Sequence, residues 1–177
     1  VRMEQRWLQV APLRLTVPVP ATLLPSRVTC LAVSSDGKSI MLGTTRGKLA
    51  LLTGLPRSLA SKTPAVEWQA TPAMMLAPVV AIALDMDVSS PVLASATIDS
   101  VDISLWGWSQ SLAVVRPFGT LTSQHGRPTQ LAVRGTTLVS ASWHHEVVCV
   151  WDLVSKTCIL QLSEHLLGVR ALEVRWP

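Results

Sequence analysis

An all-β fold made of repeated antiparallel units is what this sequence predicts, and three observations carry the prediction. Residues 137–142, 147–151 and 157–162 are short runs rich in Val, Leu, Ile and Thr, separated by polar clusters no longer than a hairpin turn. Such runs form an antiparallel meander. The same grammar returns upstream: VTCLAVSSDGKSIML over 28–42 leads into GTTRGKLALLT, and VVAIALDMDVSSPVLASATIDSVDISLW fills 79–106. Aligned on their first strands, at Val28, Val79, Pro128 and Val169, the units recur at about 40 to 50 residues, the length of one four-stranded repeat.

The most specific stretch is 131–174, LAVRGTTLVSASWHHEVVCVWDLVSKTCILQLSEHLLGVRALEV. A strand ending in serine, a turn, and a strand ending in Trp151-Asp152 resembles the WD40 repeat. So does His165 followed by Val169, Leu172 and Val174, with Glu164 in the usual glycine's place. The resemblance covers about four fifths of the chain and implies a WD40-like β-propeller. The expected layout is partial: about three four-stranded antiparallel blades at 27–77, 78–126 and 127–163, with 1–26 as the end of a preceding blade and 164–177 as the start of a further one. Because a propeller closes with typically 4 to 8 blades, this layout predicts a segment of a larger protein.

Taken in order, residues 1–26 hold two short alternating segments, then VPVPATLLP, whose prolines fit an edge or connector better than a central strand. The first blade has the best turn chemistry, Asp36-Gly37 at one hairpin tip and Gly47 at the next, both places where positive φ is wanted. It carries Leu52-Thr53 where the resemblance would put Trp-Asp. Residues 55–78 are proline-rich, with one outer strand expected at 65–70 containing Trp68; the stretch reads as a decorated outer strand or as a partner-binding insertion. In the second blade Trp106 takes the repeat's tryptophan position and Gly107 replaces the aspartate, with an outer strand expected at 111–115. Trp106 and Trp108 share one face, so Trp108 either packs between blades or contacts a partner. Asp85 and Asp87 read as turn formers. In the third blade the family's buried network of His, Ser or Thr, Asp and Trp maps onto Ser142 and Trp151, followed by Asp152. His125 lies one residue from the expected place, and His144 stands where the aspartate would be.

The chemistry-bearing motifs of enzymes are missing from the sequence. No GxxxxGK[ST], GxGxxG or GxSxG is present. The Trp143-His144-His145-Glu146 cluster lacks HExxH spacing, and adjacent histidines on a strand point to opposite faces, so it reads as a polar hairpin tip rather than a metal site. No catalytic residue, metal ligand or cofactor is therefore expected. Three cysteines, Cys30, Cys149 and Cys158, without CxxC spacing read as buried thiols of an intracellular protein, cytoplasmic or nuclear; a bridge across the 149–158 hairpin stays open. The longest nearly apolar run, 73–84, is too short to span a bilayer.

A hydrophobic fraction of 49% against 15% charged residues suits a chain with much of its surface buried against something else. Its 15 basic residues are dispersed rather than clustered, although Arg46, Lys48, Arg57 and Lys62 form one local basic group. The resemblance implies a non-catalytic scaffold that holds other proteins in a complex. Candidate partner contacts are Arg46, Arg57, Lys62, Trp68, Trp108, His144 and His145. Two alternatives remain at this level: a propeller associated with RNA or ribonucleoprotein, and a regulatory propeller of a large enzyme or NTPase.

Overall fold

The structure is a computed structural model that describes residues 26–54, 67–75, 77–86, 91–109, 114–123, 125–163, 168–174 and 176. The strands expected before residue 26, and the side chains of Arg57, Lys62 and His165, lie outside the described residues. Within them the chain is all-β, in three four-stranded antiparallel sheets. The first sheet runs β1 (Val28–Val33), β2 (Ile40–Thr44), β3 (Lys48–Thr53) and β4 (Glu67–Met74). The second runs β5 (Val79–Asp85), β6 (Val92–Thr97), β7 (Asp102–Ser109) and β8 (Val114–Thr122). The third runs β9 (Gln130–Arg134), β10 (Thr137–Ala141), β11 (Val148–Asp152) and β12 (Thr157–Leu162). Each is a simple meander, the architecture of consecutive blades in a partial WD40-like β-propeller.

The tight turns have the chemistry the sequence announced. In the β1–β2 turn Asp36 Oδ1 accepts from Ser34 Oγ at 2.7 Å and from the Lys38 amide at 2.9 Å, and Gly37 takes φ +70°. Those donors, the Lys38 amide above all, hold the Asp36 carboxyl below its ordinary range. Gly47 follows with φ +72° in the β2–β3 turn.

Three local expectations are corrected. The fourth strand of the first sheet is Glu67–Met74 rather than 65–70, and it continues through Pro72; the register slips between Lys48 and Ala50, which leaves a bulge where a proline is tolerated on an outer strand. The outer strand of the second sheet, expected at 111–115, is Val114–Thr122 and runs well beyond 115, with 111–113 outside the described residues; Pro117 sits at a similar slip opposite Leu105 and Trp106. Asp85 is a buried strand end rather than a turn former, and its Oδ2 accepts the Gly135 amide at 2.6 Å from the β9–β10 turn of the next sheet. Asp87 lies outside the described residues.

The hydrophobic core sits between the sheets. Strand β5 lies beside β1 on one side and β9 on the other, so adjacent sheets pack face to face. Met41, Leu49, Leu51, Val79, Ile82, Leu84, Leu93, Trp106 and Val115 fill the first junction. Ala83, Ala94, Ile103, Leu105, Leu121, Val133, Leu138, Cys149, Trp151 and Leu153 fill the second. Each full burial of such an aliphatic side chain contributes about 1.5 to 3 kcal/mol, so neighbouring sheets stabilise one another. A third cluster, Val139, Ala141 and Val148, is covered by Val169, Leu172, Val174 and Trp176, which lie on the far face of the third sheet without a strand ladder of their own. On the other end of the stack, Leu31 and Val33 of β1 remain exposed.

Candidate interaction surface between the second and third sheets

Two sheets share one buried polar device. In the second, the Trp106 indole N–H donates to Ser95 Oγ at 2.8 Å; in the third, Trp151 donates to Ser140 Oγ at 2.9 Å. Both serines are buried, so each hydrogen bond satisfies groups that would otherwise be costly to desolvate. The serine in the network is thus Ser140, two residues before the Ser142 singled out from sequence. The reason is register: Trp151 pairs with Leu138, and the indole reaches along the strand to the side chain two positions on, on the same face. Ser142 has a different task, holding the loop that follows β10.

The rest of the expected network is rebuilt. In the second sheet Ser95 Oγ approaches Met75 Sδ at 3.9 Å. Thr97 Oγ1 donates to Asp99 at 3.1 Å in the following turn. In the third, His125 lines a cavity of about 10 Å³ together with Ser140 and Ser142, room for about one water. In the first sheet Leu52 pairs with Ile40 as Trp106 pairs with Leu93, so Leu52 and Leu42 stand where the other sheets carry Trp and Ser. Asp152 ends β11 and caps the next turn, accepting from the Val154 and Ser155 amides and from Ser155 Oγ at 2.6 Å. Led by the Ser155 hydroxyl, these donors hold its carboxyl below the usual range.

The second junction is pinned at both ends of its strands. At one end lie the Asp85–Gly135 bond and a 3.0 Å bond from Lys156 Nζ to the Phe118 carbonyl. Lys156 makes that bond from a left-handed backbone position, φ +56°. At the other end Arg127 Nη1 donates to the Ile98 carbonyl at 3.2 Å.

Beside Arg127, the loop joining β10 to β11 is fastened from several directions. The Trp143 amide donates to Thr129 Oγ1 at 3.0 Å and the His144 amide to Ser142 Oγ at 3.2 Å. The Val169 amide donates to the Ser142 carbonyl at 2.9 Å. Gly168 sits against the Trp143 carbonyl, and Gly126, at φ +93°, lies under the His145 ring; a Cβ at either would overlap its neighbour. From this fixed backbone Trp143, 56% exposed, and the side chains of His144 and His145 face solvent. Between this loop, the 98–101 turn and residues 126–127 opens a notch of about 430 Å³ lined by Val101, Gly126, Arg127, His144 and His145.

Of the contacts expected from sequence, the structure brings His144 and His145 together with Arg127, which sequence reasoning did not select. Arg46 is exposed in the β2–β3 turn of the first sheet, away from them. Trp68 stands on β4 opposite Leu52. Trp108 is half-buried and packs against the first junction's core, alongside Trp106. The three cysteines are free thiols. Burial, with neighbouring Cys158 adding to it, pushes the Cys149 thiol up to about 12, and burial raises Cys30 as well. Such thiols are poor nucleophiles at neutral pH. Among the described residues no group of three or more His, Cys, Asp or Glu is arranged to hold a metal, and no helix is long and apolar enough to cross a membrane.

No family model and no curated protein sequence matches the chain. Solved structures do. A chain of the mitotic checkpoint complex superposes with a TM-score of 0.58 at 22% identity, over 82% of this chain and 40% of that one. The WD40 repeats of RRP9 give 0.57 at 20% identity, over 81% of this chain and 41% of theirs. The structure of U3-55K gives 0.57 at 19% identity, with 81% and 41% covered. The fold is therefore WD40-like, and the chain spans about two fifths of the length of these structures.

Proposed function

We propose that this chain is a non-catalytic interaction segment, part of a WD40-like propeller that holds partner proteins within a multisubunit complex. The observation that carries the reading is the 142–146 loop: its backbone is fixed by hydrogen bonds to two separate segments, at Thr129 and Val169, and by one within the loop to Ser142 Oγ, yet Trp143, His144 and His145 point outward. A surface ordered before its partner arrives loses less conformational entropy on binding. The rigid sheets behind it supply the platform from which loops present contacts. The likeness to a chain of a mitotic checkpoint complex agrees with such a role.

The test is affinity purification of the natural protein from crosslinked cells, with and without RNase. The scaffold reading expects the same protein partners in both samples. Partners lost on RNase treatment would replace it with the ribonucleoprotein reading, and turnover of a substrate by the purified assembly that maps to this segment would overturn its non-catalytic part.

A further inference from the structure

We infer that the notch between the second and third sheets receives an anionic side chain of a partner peptide, a carboxylate or a phosphate, with an apolar neighbour laid against Val101 and Ile98. The inference rests on the interaction-segment reading above and names the chemistry of its partner. Three nitrogen-bearing side chains, Arg127, His144 and His145, converge on a space of about 430 Å³, and no carboxylate is among its described lining residues. Glu146, exposed and next to His145 in the chain, is not among the lining residues, and Asp99, engaged by Thr97, lines a separate cleft together with Asp102.

The arrangement is built rather than incidental. Arg127 is oriented by its bond to the Ile98 carbonyl, which spends one guanidinium N–H and leaves others for a ligand. His145 is seated on Gly126, where the positive φ and the absent Cβ are both required. His144 is set by the Ser142 hydroxyl beneath its amide. Ile98, 53% exposed, and Val101, 38% exposed, form an apolar shoulder beside these donors. Donors aimed into one space with an apolar rim match a carboxylate or phosphate carried on a peptide, because charge-assisted bonds from Arg to such oxygens are the strong ones and imidazole N–H groups add further donors. In sequence the basic residues are dispersed, without the run of Lys or Arg that would follow a nucleic-acid backbone, which favours a peptide.

The experiment uses the full-length protein and fluorescein-labelled peptides carrying a central Glu or phosphoserine flanked by Leu, with Gln and Ser counterparts, and an oligouridylate RNA as competitor. Fluorescence anisotropy is expected to show binding of at least one charged peptide and roughly tenfold weaker binding of its uncharged counterpart. The Glu and phosphoserine arms decide which anion the notch prefers. Arg127→Gln and His145→Gln should each weaken binding about tenfold. Val101→Glu, which places a carboxylate in the notch without touching its donors, should abolish it; this variant keeps the test alive if Arg127→Gln disturbs folding. Equal binding of charged and uncharged peptides, unchanged binding by Val101→Glu, or preferential binding of the RNA would overturn the proposal. Recovery of protein partners from cells is scored in parallel: partners retained in full by the triple variant of Arg127, His144 and His145 to Gln reject the notch alone, whereas no partners with the unaltered protein reject the interaction-segment reading itself.

Discussion

The two junctions between sheets are alike in their cores and unlike at their margins. Each buries a comparable set of aliphatic side chains and one tryptophan bonded to a serine. Among the described residues, the first junction has a short polar tie along its inner strands, where Thr29 Oγ1 meets the Val79 carbonyl at 2.5 Å, and the longer approach of Ser95 Oγ to Met75 Sδ at 3.9 Å. The second is tied at both ends by side chains of Asp85, Lys156 and Arg127. Apolar packing is therefore what stacks the sheets, and the additional polar bonds serve to fix the turns and loops of one junction. That is the junction where the exposed Trp143–Glu146 loop stands.

The largest effects should come from what the junctions share. Trp106→Ala and Trp151→Ala are each expected to cost about 3 to 5 kcal/mol, read as a shift of the denaturation midpoint. Trp→Phe at either site keeps most of the ring and strands the serine, so it should cost about 1 to 3 kcal/mol in both sheets alike. A large disparity between the two would break the claim that the device is the same. In the first sheet Leu42 and Leu52 take those positions, so no polar penalty attends their replacement by Met or Ile.

The next effects separate the junctions. Asp85→Ala leaves the Gly135 amide without its acceptor and should destabilise by about 1 to 3 kcal/mol, while Thr29→Val at the first junction should cost about 1 kcal/mol. Gly43→Ala tests the first junction directly. A Cβ there would lie 2.8 Å from Cys30 Sγ and from Val79 Cβ, backbone-anchored neighbours in a filled space, and about 1 to 3 kcal/mol is expected from the overpacking. Hydrogen exchange in this variant should rise most in β1 to β3, since sheets coupled mainly to their neighbours lose protection locally.

Smaller still are the titration effects. Asp36 and Asp152 have depressed folded-state values, so their hydrogen bonds contribute above the ordinary carboxylate range and are lost as pH falls through the folded values. Both lie at turns near the surface, half-buried, and thermal melts taken down through that range should show only a shallow decline, less in Asp152→Asn than in the unaltered protein. Thiol labelling at neutral pH should leave Cys149 the slowest of the three cysteines, as a thiol pushed up to about 12 is almost wholly protonated there.

Much of this was legible in the sequence because it is periodic. The apolar runs, the Asp36-Gly37 turn and the Trp-Asp ending of β11 each have a local cause that a linear reading can see. The serine was misassigned since Ser140 and Ser142 are both plausible by type, and only strand register decides which one lies beside the indole. A signal was available: Ser95 precedes Trp106, and Ser140 precedes Trp151, by the same interval along the chain. Asp85 reads from sequence as a turn former and Arg127 draws no attention there, because their partners, Gly135 and Ile98, are brought near by sheet stacking rather than by sequence. The outer strands were misplaced around Pro72 and Pro117, where bulges let a strand run through a residue that ordinarily ends one.

The most direct measurement is site-specific photocrosslinking in cells, with the photoreactive residue placed at Trp143 in one sample and at Lys38, in the β1–β2 turn of the first sheet, in another. The account predicts discrete protein adducts from position 143, unchanged by RNase, and few or none from position 38. Equal adducts from both positions, or RNA adducts from position 143, would contradict it.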